Sequence, residues 1–245
     1  EENEEVEISR GGSHGVGKIA SNAASDLHVM YFANCDAEGD QHLGATVQLI
    51  EHVYEGQCYR STGYFADIEH YGNDQSKFYP YENNFHPVFG KDTRGLKIII
   101  PYLRETYDDE KEIIRSVCDS FFISILQGKL EVYVNEEHIT KANLLNYVKN
   151  ADYYKQELTE AKKVFTPLYV DTYINKEPQK ITVQDLQKNE YHFDLYFRYD
   201  EEIPKGRIAV VRTVGMKIED FKIIGKATKP FNAVLIGDLK EDEFL

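Results

Sequence analysis

Cysteine is scarce: the 245-residue chain has three, Cys35, Cys58 and Cys118, in no C-x-x-C or His-paired spacing. That supports neither a disulfide framework nor a zinc site, so ordinary reduced thiols are expected. Long apolar runs are missing too. No window of about 18 uninterrupted apolar residues occurs, and no charged-then-apolar leader opens the chain; neither a membrane span nor a signal peptide is visible, and the cytoplasm is the expected compartment. Positive charge is short, with 28 Lys and Arg against 42 Asp and Glu and a formal net charge of −14. Such a balance repels a phosphate backbone unless basic residues gather on one face, so direct nucleic-acid binding by this piece is not expected. His28, His42, His52, His70, His86 and His138 fall at unrelated spacings and give no metal cluster. Neither a Gly-x-Ser-x-Gly elbow nor a Cys–His pairing argues for covalent catalysis.

What is present suffices for a folded body. Hydrophobic residues make up 42% and aromatics 13%, enough for a sizeable core in one large or two ordinary domains. IASNAASDL reads as a helix, HVMYFAN as a strand, Cys35 to Gly44 as a polar turn, and ATVQLIEHVYEG with CYRSTGYFADI as further strands of an antiparallel meander. Tyr71 to Thr93 has no sustained period and reads as one long loop, ending at the buried strand of TRGLKIIIPYL. The clearest helix spans DDEKEIIRSVCDSFFISILQGK, with Ile113, Ile114, Val117, Phe121, Phe122 and Ile125 on one face. KLEVYVN follows as a strand and HITKANLLNYVKN as a helix capped at Thr140; ADYYKQELTEAKKVF reads as another helix or as a surface segment. TPLYVDTYI, YHFDLYFRYD, GRIAVVRTVGMKI and FNAVLIGDL then read as strands. The expected class is α+β, with domains at 1–136 and 137–245, the boundary resting on element order alone. The chain begins without methionine in an acidic run and stops at EDEFL, which reads as a chain cut at one end or both.

The stretch GGSHGVGKIASNAASDL, residues 11–27, looks built for phosphate. Gly12, Gly17 and Lys18 fall on the first, sixth and seventh positions of a P-loop, but Ile19 takes the place of its Mg²⁺-binding hydroxyl. The preceding EENEEVEISR, with five glutamates in its first seven residues, cannot be the buried strand a P-loop needs. A helix entered through glycines still offers free N–H groups and a positive dipole end to an anion.

The same stretch resembles the second glycine motif of the GHKL ATPases, the superfamily of DNA gyrase, the ninety-kilodalton heat-shock chaperones, histidine kinases and MutL-type repair proteins. Gly12, Gly15, Val16 and Gly17 match its Gly-x-x-Gly-hydrophobic-Gly spacing. More narrowly, it looks like a bacterial GHKL group of unassigned function whose lid reads Gly-Gly-Ser-Phe-Gly-Ile-Gly-Lys, with His14 in place of Phe. The resemblance covers roughly residues 11 to 135 and implies a partial GHKL-type sandwich, antiparallel with helices on one face, followed by a transducer-like α+β domain. It implies a nucleotide lid of Gly12, Ser13, His14, Gly15, Val16, Gly17 and Lys18, with Gly95 at the strand that usually carries Gly-Thr. Arg212 and Lys217 would stand where a transducer domain senses the terminal phosphate.

Other implications follow from the likeness: ATP and Mg²⁺ as cofactors of the intact protein, and a homodimer or a larger multidomain partner. Two departures weigh against turnover by this piece. Leu96 replaces the threonine of Gly-Thr, removing a hydroxyl. The glutamate that activates water, the asparagine that holds Mg²⁺ and the Asp-x-Gly-x-Gly adenine segment belong upstream of the lid, and residues 1–10 have neither the Glu-x-x-x-Asn spacing of the first two nor the glycines of the third. IGDLKED, near the far end, lacks the second glycine. The alternative expectation is a non-catalytic interaction module that keeps the fold without turning over nucleotide.

Overall fold

The computed structural model describes residues 16–71, 75–82, 86–154, 165–199, 206–222 and 229–237. They fall into two compact units, one within residues 12–108 and one within residues 109–245. The class is α+β with mostly antiparallel sheets, as element order predicts.

In the first unit α1 (Val16–Ala23) leads into β1 (Val29–Cys35) and β2 (Gln41–Gln48). There follow β3 (His52–Tyr54), β4 (Gln57–Tyr59), β5 (Thr62–Phe65), β6 (Asp67–Tyr71), β7 (Gln75–Tyr79), β8 (Tyr81–Glu82) and β9 (Gly95–Ile99). The main sheet runs β5-β2-β1-β9, all antiparallel, with β8 also paired to β2. The expected meander is therefore present. The segment expected as one long loop instead contains β7 and β8. Lys77, Phe78 and Tyr79 of β7 are all exposed, so no alternation of apolar residues announces a strand that is defined only by its pairing with β6. Burial in this unit is thin: among its described residues the buried apolar side chains are Met30, Ala33, Cys35, Leu43 and Ala45, while Ile50 is 85% exposed.

The second unit holds the main core. Its long helix α2 (Glu110–Leu126) starts where the Asp109 carboxylate accepts from the Lys111 and Glu112 N–H groups, with Glu110 and Glu112 favoured by the helix dipole. Ile114, Cys118, Phe122 and Ile125 recur at helical spacing and are buried, but Ile113, expected on that face, is exposed. Then come β10 (Val132–Val134), β11 (Glu137–Ile139), α3 (Leu144–Val148), α4 (Phe165–Asn175), β12 (Gln179–Gln184), β13 (Glu190–Tyr199), β14 (Arg207–Val211), β15 (Lys217–Lys222) and β16 (Phe231–Gly237). The sheet order is β12-β13-β16-β14-β15, antiparallel except for the parallel pair β14 and β16. Fully buried Ile114, Phe122, Tyr169 and Val211 belong to the core that α2 and α4 build with this sheet, each apolar side chain contributing roughly 1.5–3 kcal/mol.

Three expected elements are corrected here. TPLYVDTYI is not a strand; it lies in α4, where Phe165, Tyr169 and Thr172 are buried at helical spacing together with Thr166 and Val170. The β-branched and aromatic residues that suggest a strand yield to that packing. HITKANLLNYVKN divides into β11 and the short α3, whose first residue is preceded by Asn143, although the Thr140 carbonyl still accepts from the Leu144 N–H. GRIAVVRTVGMKI is two strands, β14 and β15, folded about a turn at Arg212–Met216. The units part between Asp108 and Asp109, ahead of the boundary inferred near residue 136, because α2 packs with α4 and β15.

Several hydroxyls and one thiol are held protonated by this core. Burial pushes Cys118 up to about 12, with the Asp119 charge adding to it. Burial also pushes Tyr147 up to about 12, helped by its hydrogen bond to Glu137. Tyr154 and Tyr169 move the same way, first through burial and then through Asp119 and Asp220. Each group therefore binds its proton more tightly folded than unfolded, and the stability this gives is whole below the unfolded values of 9.0 and 10.0. It is lost as pH climbs from there toward 12. Alkaline titration should show far-ultraviolet ellipticity collapsing in that window, with the last tyrosinate absorbance rising in the same step. Complete tyrosine ionisation ahead of any loss of ellipticity would contradict these burials.

Candidate functional site

The glycine stretch enters the described structure at α1. Gly12, Ser13, His14 and Gly15 lie outside the described residues, and the backbone of Val16, Gly17 and Lys18 forms the first turn of the helix. The helix is pinned by Asn22, whose side-chain amide donates to the His28 and Thr46 carbonyls, both at 2.9 Å. The Thr46 hydroxyl in turn donates to Asn22 Oδ1 at 3.1 Å. Asn22 is only 6% exposed, so a polar side chain inside a run of small residues is the anchor of this helix. Sequence reading passed over it; its signal was an asparagine in the middle of SNAAS, where a helix packed on a sheet would otherwise be apolar.

The register shows which sheet face α1 covers. Directly paired residues share a face, so Thr46 lies with Met30, Phe32 with Ile98, and Asn34 with Leu96. Because Asn22 meets the Thr46 hydroxyl, α1 sits on this face. Leu96 and Ile98, on edge strand β9, remain 59% and 47% exposed there. The opposite face carries an aromatic cluster in which Tyr31 meets Phe65 and Phe89, and Phe65 meets Tyr81.

Gly95 opens β9 opposite Cys35 with φ of +127°, a backbone region that side chains rarely tolerate. Nearby, Lys97 Nζ donates to the Val88 and Gly90 carbonyls at 2.6 and 3.2 Å, and so fixes the loop ahead of Gly95. At the same end of the sheet a cavity of about 350 Å³ is lined by Gly39, Asp40, Gln41, His42 and Glu82. Its two carboxylates oppose an unescorted anion. Among the described residues no group of three or more His, Cys, Asp or Glu is arranged to hold a metal ion. At the other end Arg104 Nε lies 3.4 Å from Asp26 Oδ1, an ion pair outside hydrogen-bond alignment, while its backbone N–H donates to Ala24 and closes the turn after α1.

Arg212 and Lys217 belong to the second unit. The Arg212 N–H donates to the Met216 carbonyl at 3.0 Å, and its own carbonyl accepts from Gly215 at 2.7 Å. Lys217 Nζ pairs with Asp220 Oδ2 at 2.8 Å and lies 5.9 Å from the Tyr169 ring centroid, with its side chain only 14% exposed. The same Asp220 accepts from the Tyr169 hydroxyl, so this ammonium is built into the packing of α4 on the sheet.

All three cysteines are free thiols, Cys35 and Cys118 buried and Cys58 exposed. No helix among the described residues is long and apolar enough to cross a membrane. No protein-family model matches this chain, and neither a curated protein nor a solved structure matches it.

Proposed function

We propose that this chain carries the lid side of an ATP-binding site of the GHKL type, in which the glycine segment 11–17 and the first turn of α1 meet a triphosphate. The observation that carries the reading is the placement of α1 beside open sheet surface. The helix is joined to β1 by five residues and anchored at its last turn, and a course back along the sheet would bring its first turn toward the Cys35–Gly95 end. Phe32, Asn34, Leu96 and Ile98 share its face, and Leu96 and Ile98 are exposed there. Glycines ahead of the helix give N–H groups and a positive dipole end without side chains in the way. Lys18 adds a point charge.

Closure of such a lid would order the glycine segment and change how domains or protomers dock. ATP would come with Mg²⁺, and hydrolysis would need a water-activating glutamate and a Mg²⁺-binding asparagine in Glu-x-x-x-Asn spacing, which residues 1–10 do not contain. In the second unit Lys217 is committed to Asp220, so a phosphate-sensing role there would first require breaking that pair.

Calorimetric titration of the full-length protein with a non-hydrolysable ATP analogue and Mg²⁺ should give saturable heat, with slowed hydrogen exchange at the α1 amides. A second reading is an interaction module that binds no nucleotide. It is favoured by the many apolar side chains the first unit exposes, Ile50, Val53, Tyr54 and Leu96 among them. Full-length protein giving neither heat nor protection would decide for that module.

A further inference from the structure

We infer that the second unit holds a separate binding site for a small oxyanion, at the carboxyl ends of β14 and β16. These strands form the parallel pair of the sheet, with Val211 opposite Ile236, and both end at one cavity of about 210 Å³. Clefts beyond the carboxyl ends of parallel strands are where open sheets leave ligand-sized space. This one is smaller than a drug-sized pocket and suits a compact ligand.

Its described lining is mostly polar. Lys129 follows α2, Lys180 lies on β12, His192 on β13 and Thr213 after β14, so four segments converge. Lys180 is paired with Asp194 at 2.6 Å, which cancels one charge and leaves a carboxylate at the rim to accept from a ligand hydroxyl. Lys129 has no such cancellation: among the described residues it forms no ion pair, and Nζ donates at 3.4 Å to the Thr213 carbonyl. That weak contact holds the ammonium at the mouth. Thr213 Oγ1 donates to the Gly237 carbonyl at 3.2 Å, and His192 Nδ1 lies 3.0 Å from Thr182 Oγ1, so both side chains have set orientations.

In a chain of net charge −14, the described lining of this cavity brings two ammonium groups together with one carboxylate, a local excess of positive charge among the described residues. The chemistry recognised is one carboxylate or phosphoryl group on a small molecule. Neither residues 11–18 nor Gly95 takes part, so the site stands or falls apart from the nucleotide reading.

The test is an amide-resolved NMR titration of the chain with inorganic phosphate and, separately, acetate, against sodium chloride at matched ionic strength. Saturable shifts at Lys129, Thr213 and His192 are expected with phosphate, acetate or both, and the pattern tells phosphoryl from carboxylate recognition. K129Q should weaken the affinity about tenfold, as expected for a lost charge-assisted hydrogen bond. Lys129 and Lys180 are exposed, so K129Q and K180Q keep the fold, which their unchanged spectra elsewhere would verify. Non-saturating shifts with both anions, or shifts that survive intact in the K129Q/K180Q double variant, would overturn the site.

Discussion

Gly215→Ala is expected to lower the melting temperature of the second unit by roughly 10–20 °C, read by differential scanning calorimetry. A Cβ at this position would stand 2.6 Å from the Ser124 N and 2.7 Å from its Cα, inside the backbone of α2. Helix backbone cannot move aside as a flexible side chain can. The residue also sits at φ of +85°, which costs a non-glycine residue about 1–2 kcal/mol. Forcing an extra methyl into a packed contact costs about 1–3 kcal/mol more. The contact is a docking point as well: the Ser124 N–H donates to the Gly215 carbonyl at 3.3 Å, and the Ser124 hydroxyl donates to Val214 at 2.9 Å. Gly95→Ala supplies the control, because its φ is also positive but its Cβ would meet nothing nearer than Lys91 Cε at 4.0 Å. A Gly215→Ala variant no less stable than the Gly95→Ala variant would mean that the turn can lift away from the helix.

Asn22→Leu should act on the other unit and release α1 from its sheet. Leucine fits the space but removes two donors and one acceptor. The Thr46 hydroxyl loses its partner, and the Thr46 and His28 carbonyls each lose one hydrogen bond. Buried polar groups left unpaired cost about 1–3 kcal/mol each, reduced here because the His28 carbonyl still accepts from the Gln48 N–H; a total of about 2–4 kcal/mol is expected. The five buried apolar side chains among this unit's described residues give little reserve against such a loss. Hydrogen exchange at Ser21 to Ala23 should accelerate by a hundredfold or so, while amides of β13 and β16 keep their protection. If the lid reading holds, affinity for the ATP analogue falls with it. Unchanged exchange in α1 would show that the helix is held by something other than Asn22.

Much of this architecture was legible because the pattern of burial follows ordinary periodicity. The run from Asp109 to Gln127 announces a helix through its acidic start and its apolar residues three and four apart, and YHFDLYFRYD announces β13. Where legibility failed, tertiary packing had outvoted local preference. Tyr169, Val170 and Thr172 favour strands by side-chain shape, but a helix puts them against α2 and β16. The hairpin β6–β7 was hidden for the opposite reason, since exposed strands carry no apolar alternation. Of the proposed lid, the glycines and Lys18 are expectations from spacing alone. Asn22 was not legible, because its role depends on a threonine 24 residues away that only the fold brings near.

The position of β16 bears on how the molecule is made. It lies between β13 and β14, pairing with both, although it follows them in the chain. A growing polypeptide that has released β12 through β15 from the ribosome has no way to join its two pairs, β12–β13 and β14–β15, until residues 231–237 emerge and slide into the gap. Until then both inner edges of this sheet stand open to other chains, so the interval before β16 arrives exposes it to misassembly.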